Sequence, residues 1–197
     1  MTLLLKLSQL IDWLVERVGK GAFWLVLVMT IISSGNAVIR FAFNYSSNGL
    51  LEIQWYLFAA VFLLCSPYTL QKNEHVRIDV LSGKLSPRGL AVIDIIGTLF
   101  FLLPMVVVVL WLSLPLVAES YRINEMSANA GGLIRWPVKL LLPVGFTLLA
   151  LQGVSELIKR IAFLQGLIAD PNAKDKGPSA EEELAAAIAA AKAKEAK

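Results

Sequence analysis

The stretch N-E-H-V-R-I-D-V-L-S-G-K-L-S-P-R-G-L, Asn73 to Leu90, gathers the only histidine and most of the mid-chain charge between two long apolar runs. Histidine changes charge near neutral pH, so His75 beside Arg77 and Asp79 raises the question of proton chemistry. The three polar residues alternate with Val76, Ile78 and Val80, the period of a short extended segment at an interface. There a surface or packing role for the histidine is favoured over proton carriage. Ser86-Pro87 puts an N-cap ahead of a proline at the first helical position, so the same stretch also starts a helix.

Other chemistries are poorly supplied. The single cysteine, Cys65, lies inside an apolar run, which gives neither a disulfide framework nor a CxxC metal site and reads as a small core residue. Membrane-embedded haem needs axial ligands, commonly histidine; neither H-E-x-x-H nor a Gly-rich phosphate cradle occurs. No cofactor or metal site is expected, nucleic acid is not an expected partner, and enzymes are disfavoured, although Asp or Ser chemistry inside a membrane stays open.

What must position these residues is a bilayer. The 197 residues are 57% hydrophobic, against roughly 45–50% in soluble domains, with a mean hydropathy of +0.68. A hydrocarbon core of about 30 Å takes about 20 helical residues. Gly21 to Ile39, Leu50 to Leu70, Leu90 to Ala118 and Pro137 to Ile158 each suffice. The expected fold is an all-α integral membrane protein: an N-terminal amphipathic interfacial helix over 1–20, a four-span membrane domain over 21–168, and a polar linker with a solvated Ala-rich tail over 169–197. No small-residue cleavage site precedes Gly21, so the first twenty residues are expected to stay attached. Lys6, Arg17, Lys20, Lys72, Arg77, Lys84, Arg88, Lys159 and Arg160 outnumber Arg40, Arg122, Arg135 and Lys139, which predicts both termini inside by the positive-inside rule.

Within the first twenty residues, Leu3, Leu7, Leu10, Ile11, Leu14 and Val18 form an apolar side opposite Gln9, Asp12, Glu16 and Lys20. Ser33-Ser34-Gly35-Asn36 suggests that half of the first span faces protein. Arg40 and Glu52 are close enough in the pattern to pair at the outer surface, or to be solvated separately. In the third span Asp94, Gly97, Phe101, Pro104, Val108, Trp111 and Pro115 follow 3,4 spacing along one face, which predicts a helix–helix seam in preference to a ligand groove. In the fourth span Gln152, Glu156, Lys159 and Arg160 share a face, with an i,i+4 pair from Glu156 to Arg160 expected near the interface. A self-sufficient transporter should carry ionisable groups near the bilayer midplane; here only Thr30 and Gln152 approach it.

Several runs, in this order, carry a resemblance: E-I-Q-W-Y-L-F opening the second span, H-V-R-I-D-V-L after it, W-L-S-L-P-L-V-A-E-S leaving the third, and W-P-V-K-L-L-L-P-V-G-F-T-L-L-A-L-Q-G. Over about residues 8–165 the chain resembles the small membrane subunit of TRAP (tripartite ATP-independent periplasmic) transporters, the DctQ-like family. The resemblance implies a bacterial inner-membrane complex in which a periplasmic solute-binding protein captures a solute, often an organic acid. A large multi-span membrane subunit then moves it by an elevator-type motion coupled to sodium. The small subunit would be a fixed scaffold, without catalytic residues of its own.

From position, Trp55, Tyr56, Asp94, Gly97, Phe101, Pro104, Val108 and Trp111 are the candidate large-subunit interface. Arg40, Glu52, Glu119, Arg122 and Glu125 are the candidate docking rim for the binding protein. His75, Arg77 and Asp79 are expected to brace the inner loop. The alternatives are a free-standing four-helix exporter, for which Glu52, Asp94 or Glu156 would have to serve as the embedded carboxylate, and a structural subunit of another membrane complex.

Overall fold

In a computed structural model, which describes residues 2–45, 47–73 and 86–170, the chain is helical. The helices are α1 (Thr2–Phe43), α2 (Asn48–Lys72), α3 (Pro87–Gly97), α4 (Leu103–Arg122) and α5 (Trp136–Leu164). A wide π turn, Thr98–Leu102, joins α3 to α4 without a break, so four helices are long and apolar enough to cross a membrane. The protein is a multi-pass membrane protein. Residues 74–85, including His75, Arg77 and Asp79, and residues 171–197, most of the expected tail, lie outside the described residues.

The first span and the segment before it run on as one helix, with no break at Gly21. Its 42 residues make it about 63 Å long at 1.5 Å per residue, about twice the hydrocarbon thickness. The buried face is Ser8, Ile11, Val15, Gly19 and Ala22, a run of mostly small residues at 3,4 spacing, while Leu3, Leu7, Leu10 and Leu14 are exposed. Asp12, grouped by sequence with the wet side, instead turns into the bundle. The physical reason is that lipid solvates leucine as well as protein does, so small and polar residues decide which face packs. Further along, Asn36 is buried while Ser33 and Ser34 are exposed, so the expected protein-facing patch narrows to Asn36.

α5 is the central helix. Half of its most apolar stretch is buried, against about a tenth or less in the other three spans. Close approach needs glycine at two places. A Cβ on Gly145 would stand 2.9 Å from the backbone oxygen of Leu63 in α2, and one on Gly19 would stand 2.7 Å from Cβ of Tyr68. Real contacts lie at about 3.5–4.0 Å, so any other residue there would push the helices apart.

The third span corrects one expectation. Its spaced stripe is not a continuous face. Asp94 turns inward to the Arg160 guanidinium, Nε to Oδ2 3.4 Å, whereas Phe101, Val108 and Trp111 are 73%, 56% and 76% exposed. The π turn is the cause: the Leu103 N–H bonds to the Thr98 carbonyl, five residues back, and one extra residue rotates all that follows by about 100°. Pro104, which has no N–H, sits just beyond that turn, where a regular ladder would be broken in any case. The buried face is Ala91, Val106, Ser113 and Ser120.

Candidate functional site

Two polar assemblies stand at opposite ends of the bundle. At the first, residues 123–135 fold back as a small hairpin: the Ser127 N–H bonds to the Leu133 carbonyl at 2.9 Å, and the Arg135 N–H to the Glu125 carbonyl at 2.8 Å. It is seated on α2 by three residues at i, i+4 and i+8. Asn48 donates to the Ala130 carbonyl at 3.0 Å, and Tyr56 donates to the Ile134 carbonyl at 3.3 Å. Between them Glu52, only 4% exposed, accepts from the Leu133 N–H at 2.7 Å, from the Asn129 amide at 2.8 Å and from the Ser127 hydroxyl.

Glu52 is therefore a latch. It accepts its hydrogen bonds from the hairpin, and of the two readings open from sequence the pairing with Arg40 is not formed. The reason is reach: a carboxylate one turn into α2 lies under the hairpin, which offers three donors at once. Around the latch, Arg40 is exposed, and Glu119 receives a bidentate pair from Arg122 at 2.9 and 2.7 Å, with both side chains more than half exposed. Glu125 accepts from Lys139, with Arg135 4.0 Å away. The Lys139 ammonium holds the Glu125 carboxyl below its usual range. Tyr121 and Trp136 stack edge to face beside the hairpin, 5.4 Å between centroids.

The second assembly lies near the other ends of α1, α2, α3 and α5. Asp12 accepts from Ser155 at 2.8 Å and Gln152 at 3.0 Å, and pairs with Lys159 at 3.1 Å. Lys159 also pairs with Glu156. Arg160 lies 3.7 Å from Glu156 and 3.4 Å from Asp94, so the Glu156–Arg160 pair expected from sequence is present but buried. Ser8 and Ser155 share a hydrogen bond of 2.7 Å, and Gln71 donates to the Asp12 carbonyl at 2.9 Å. Gln152 and Ser155 are fully buried.

This network ties four helices together. Glu156 lies eight residues before the end of α5 and Asp94 seven after the start of α3, about 10–12 Å in from the helix ends. Each carboxylate has a cation beside it. Among the described residues no group of three or more His, Cys, Asp or Glu could hold a metal ion. Sequence reasoning found Glu156 and Arg160 but missed Asp12, Ser127 and Asn129. The 48, 52, 56 spacing was the available signal for the latch; nothing local marks Asp12.

Of the remaining candidates, Trp55 is 66% exposed on α2, Gly97 has open space around it, and Pro104 is exposed on α4. The family model described as "Tripartite ATP-independent periplasmic transporters, DctQ component" matches residues 25–163, more than half of the chain. A protein of Haemophilus influenzae, provisionally named a TRAP transporter small permease protein, is 32% identical over 79 residues, 40% of this chain and 49% of that protein. The match thus spans about half the length of that relative.

Proposed function

This chain belongs to the DctQ component family of TRAP transporters, whose members are transporter components and not enzymes, and from that premise we propose that it scaffolds a solute importer. In this reading it binds a large multi-span membrane subunit and helps seat a periplasmic solute-binding protein. Solute movement, sodium coupling and the choice of solute, an organic acid in the expected case, belong to those partners. The chain sits in a bacterial inner membrane with both termini inside, as the lysine and arginine distribution favours.

The observation that carries this reading is the division of labour along the chain. The buried charges are matched within the bundle, near its ends, while Phe101, Pro104, Val108 and Trp111 form an unpartnered apolar face on the third span. Trp55 remains a candidate for the same partner. Asp94 leaves that proposal, because it turns inward to Arg160, whereas Gly97, with open space around it, stays a candidate beside Phe101. At the hairpin end, Arg40, Glu119, Arg122 and Glu125 are the proposed docking rim. Glu52 acts there by holding the hairpin, and Tyr56 helps it.

Co-purification tests the first interface. Val108→Glu and Trp111→Glu are expected to lose a large multi-span partner while the chain itself remains in the membrane; undiminished partner yield would refute the interface. Reversing Arg122 and Glu119 tests the rim. Uptake should weaken, most at low salt and less as salt screens the reversed charges, with the membrane complex intact, and unchanged uptake would leave docking to the large subunit alone.

A further inference from the structure

The wide turn leaves backbone acceptors of the third span without donors. In a regular helix each carbonyl accepts the N–H four residues further on. The Leu103 N–H, which would serve Leu99, bonds instead to the Thr98 carbonyl. Pro104 follows and has no N–H to give. The helix is regular again from Leu103, which commits the Val106 N–H to the Leu102 carbonyl. Three consecutive carbonyls, those of Leu99, Phe100 and Phe101, are left with one donor, the Met105 N–H. Among the described residues no side chain donates to any of the three, so two acceptors go without. Leu99 lies five residues beyond Asp94 and twenty before Glu119, about 8 Å and about 30 Å along the axis, which places them within the hydrocarbon. Leu99 and Phe100 are 47% and 66% exposed, so this stretch of backbone borders the open side of the span.

Lipid chains carry no hydrogen-bond donor, and a ladder broken inside a span is made good by neighbouring helices. We propose that a helix of the large membrane subunit docks here and donates a side-chain carboxamide, Asn or Gln, to the free carbonyls. A carboxamide NH2 carries two donors, which matches two acceptors, and it is neutral, as a group at this depth should be. Gly97, one turn before Phe101, lets a helix come close, since nothing lies within 4 Å of where its Cβ would be. Apolar contact alone does not set the partner's depth or rotation, because lipid offers the same contact; a hydrogen bond does. The inference rests on the reading that the large subunit is the partner at this face.

Carbonyl-carbon NMR of the full chain tests this, because a hydrogen bond moves a carbonyl resonance downfield. Isotope-labelled leucine carbonyls with labelled phenylalanine nitrogens select only Leu57–Phe58 and Leu99–Phe100, and phenylalanine labelled at both atoms selects only Phe100–Phe101. In the free chain Leu99 is expected upfield of Leu57, which lies within α2. In the complex with the large subunit, Leu99 or Phe100 should shift downfield while Leu57 stays. Pro104→Ala supplies the missing N–H. It should move one of these resonances downfield in the free chain and weaken the complex by about three- to tenfold. A complex that forms with both resonances unshifted would overturn the bond and leave the interface standing, as would undiminished binding by Pro104→Ala. A free-chain Leu99 already at a hydrogen-bonded position would also overturn it, assigning the carbonyls to water. No co-purifying large subunit at all would instead sink the reading beneath it.

Discussion

Replacing Gly145 by alanine puts one methyl group where the backbone of α2 already is. The added Cβ would stand 2.9 Å from both the Leu63 oxygen and the Leu63 Cβ, about 0.6 Å or more inside ordinary contact distance. A backbone carbonyl in a helix cannot swing aside, so α2 and α5 must separate along their shared seam. Overpacking of this kind costs about 1–3 kcal/mol. Alanine also restores about 1 kcal/mol of helix propensity relative to glycine, which blurs the variant taken alone. Gly35→Ala in α1 supplies the reference, because nothing lies within 4 Å of that position and the propensity gain is the same. The difference between the two variants therefore isolates the steric cost. For a chain of this size 1 kcal/mol moves the melting temperature by about 2–4 °C, so Gly145→Ala should melt about 2–12 °C below Gly35→Ala in detergent. Indistinguishable melting temperatures would show that the α2–α5 contact is not backbone-limited, and the reasoning would fail.

Three further outcomes follow from the polar assemblies. Glu52→Ala and Glu52→Gln should both speed proteolysis within residues 123–135, alanine more than glutamine because the amide can still accept from Leu133 N–H; equal cleavage in all three proteins would remove the latch. Lys159→Met leaves Asp12 and Glu156 facing each other without their shared cation, so it should lower the melting temperature more than Asp12→Asn/Lys159→Met does, and strict additivity in the double-mutant cycle would contradict the coupling. Glu125 has a folded pKa depressed below its ordinary value of 4.5, so its contribution is complete above that value and is lost as pH falls through the lower folded one. Cleavage of the hairpin should therefore rise on acidification below about pH 4.5, and Lys139→Met should flatten that rise; an unaltered profile in the variant would assign the pH response to another group.

The four spans were legible because the bilayer imposes a length and a composition on any helix that crosses it, and both are written locally. Ser86-Pro87 is similarly local: Ser86 accepts from the Gly89 N–H at 3.2 Å and Pro87 opens α3. The family resemblance carried by the ordered runs is also linear information, and the family match over residues 25–163 agrees with it. Facing was harder to read. In α1 the Asp12 side looked like the wet side, and in the third span a regular spacing looked like one face, because a local pattern does not show which side of a helix meets protein and which meets lipid.

The opening stretch keeps its role as a helix start at Ser86, while the bracing proposed for His75, Arg77 and Asp79 lies outside the described residues. Sequence by itself determined the number of spans and the poverty of midplane charge, since each depends on residues near one another in the chain. Only the tertiary structure decided that Glu52 holds the hairpin, that Asp12 meets Lys159 across 147 positions, and that one wide turn splits the third-span stripe. Those outcomes depend on which donors reach a carboxylate once four helices have packed, and on a single extra residue in a turn, quantities no local pattern encodes.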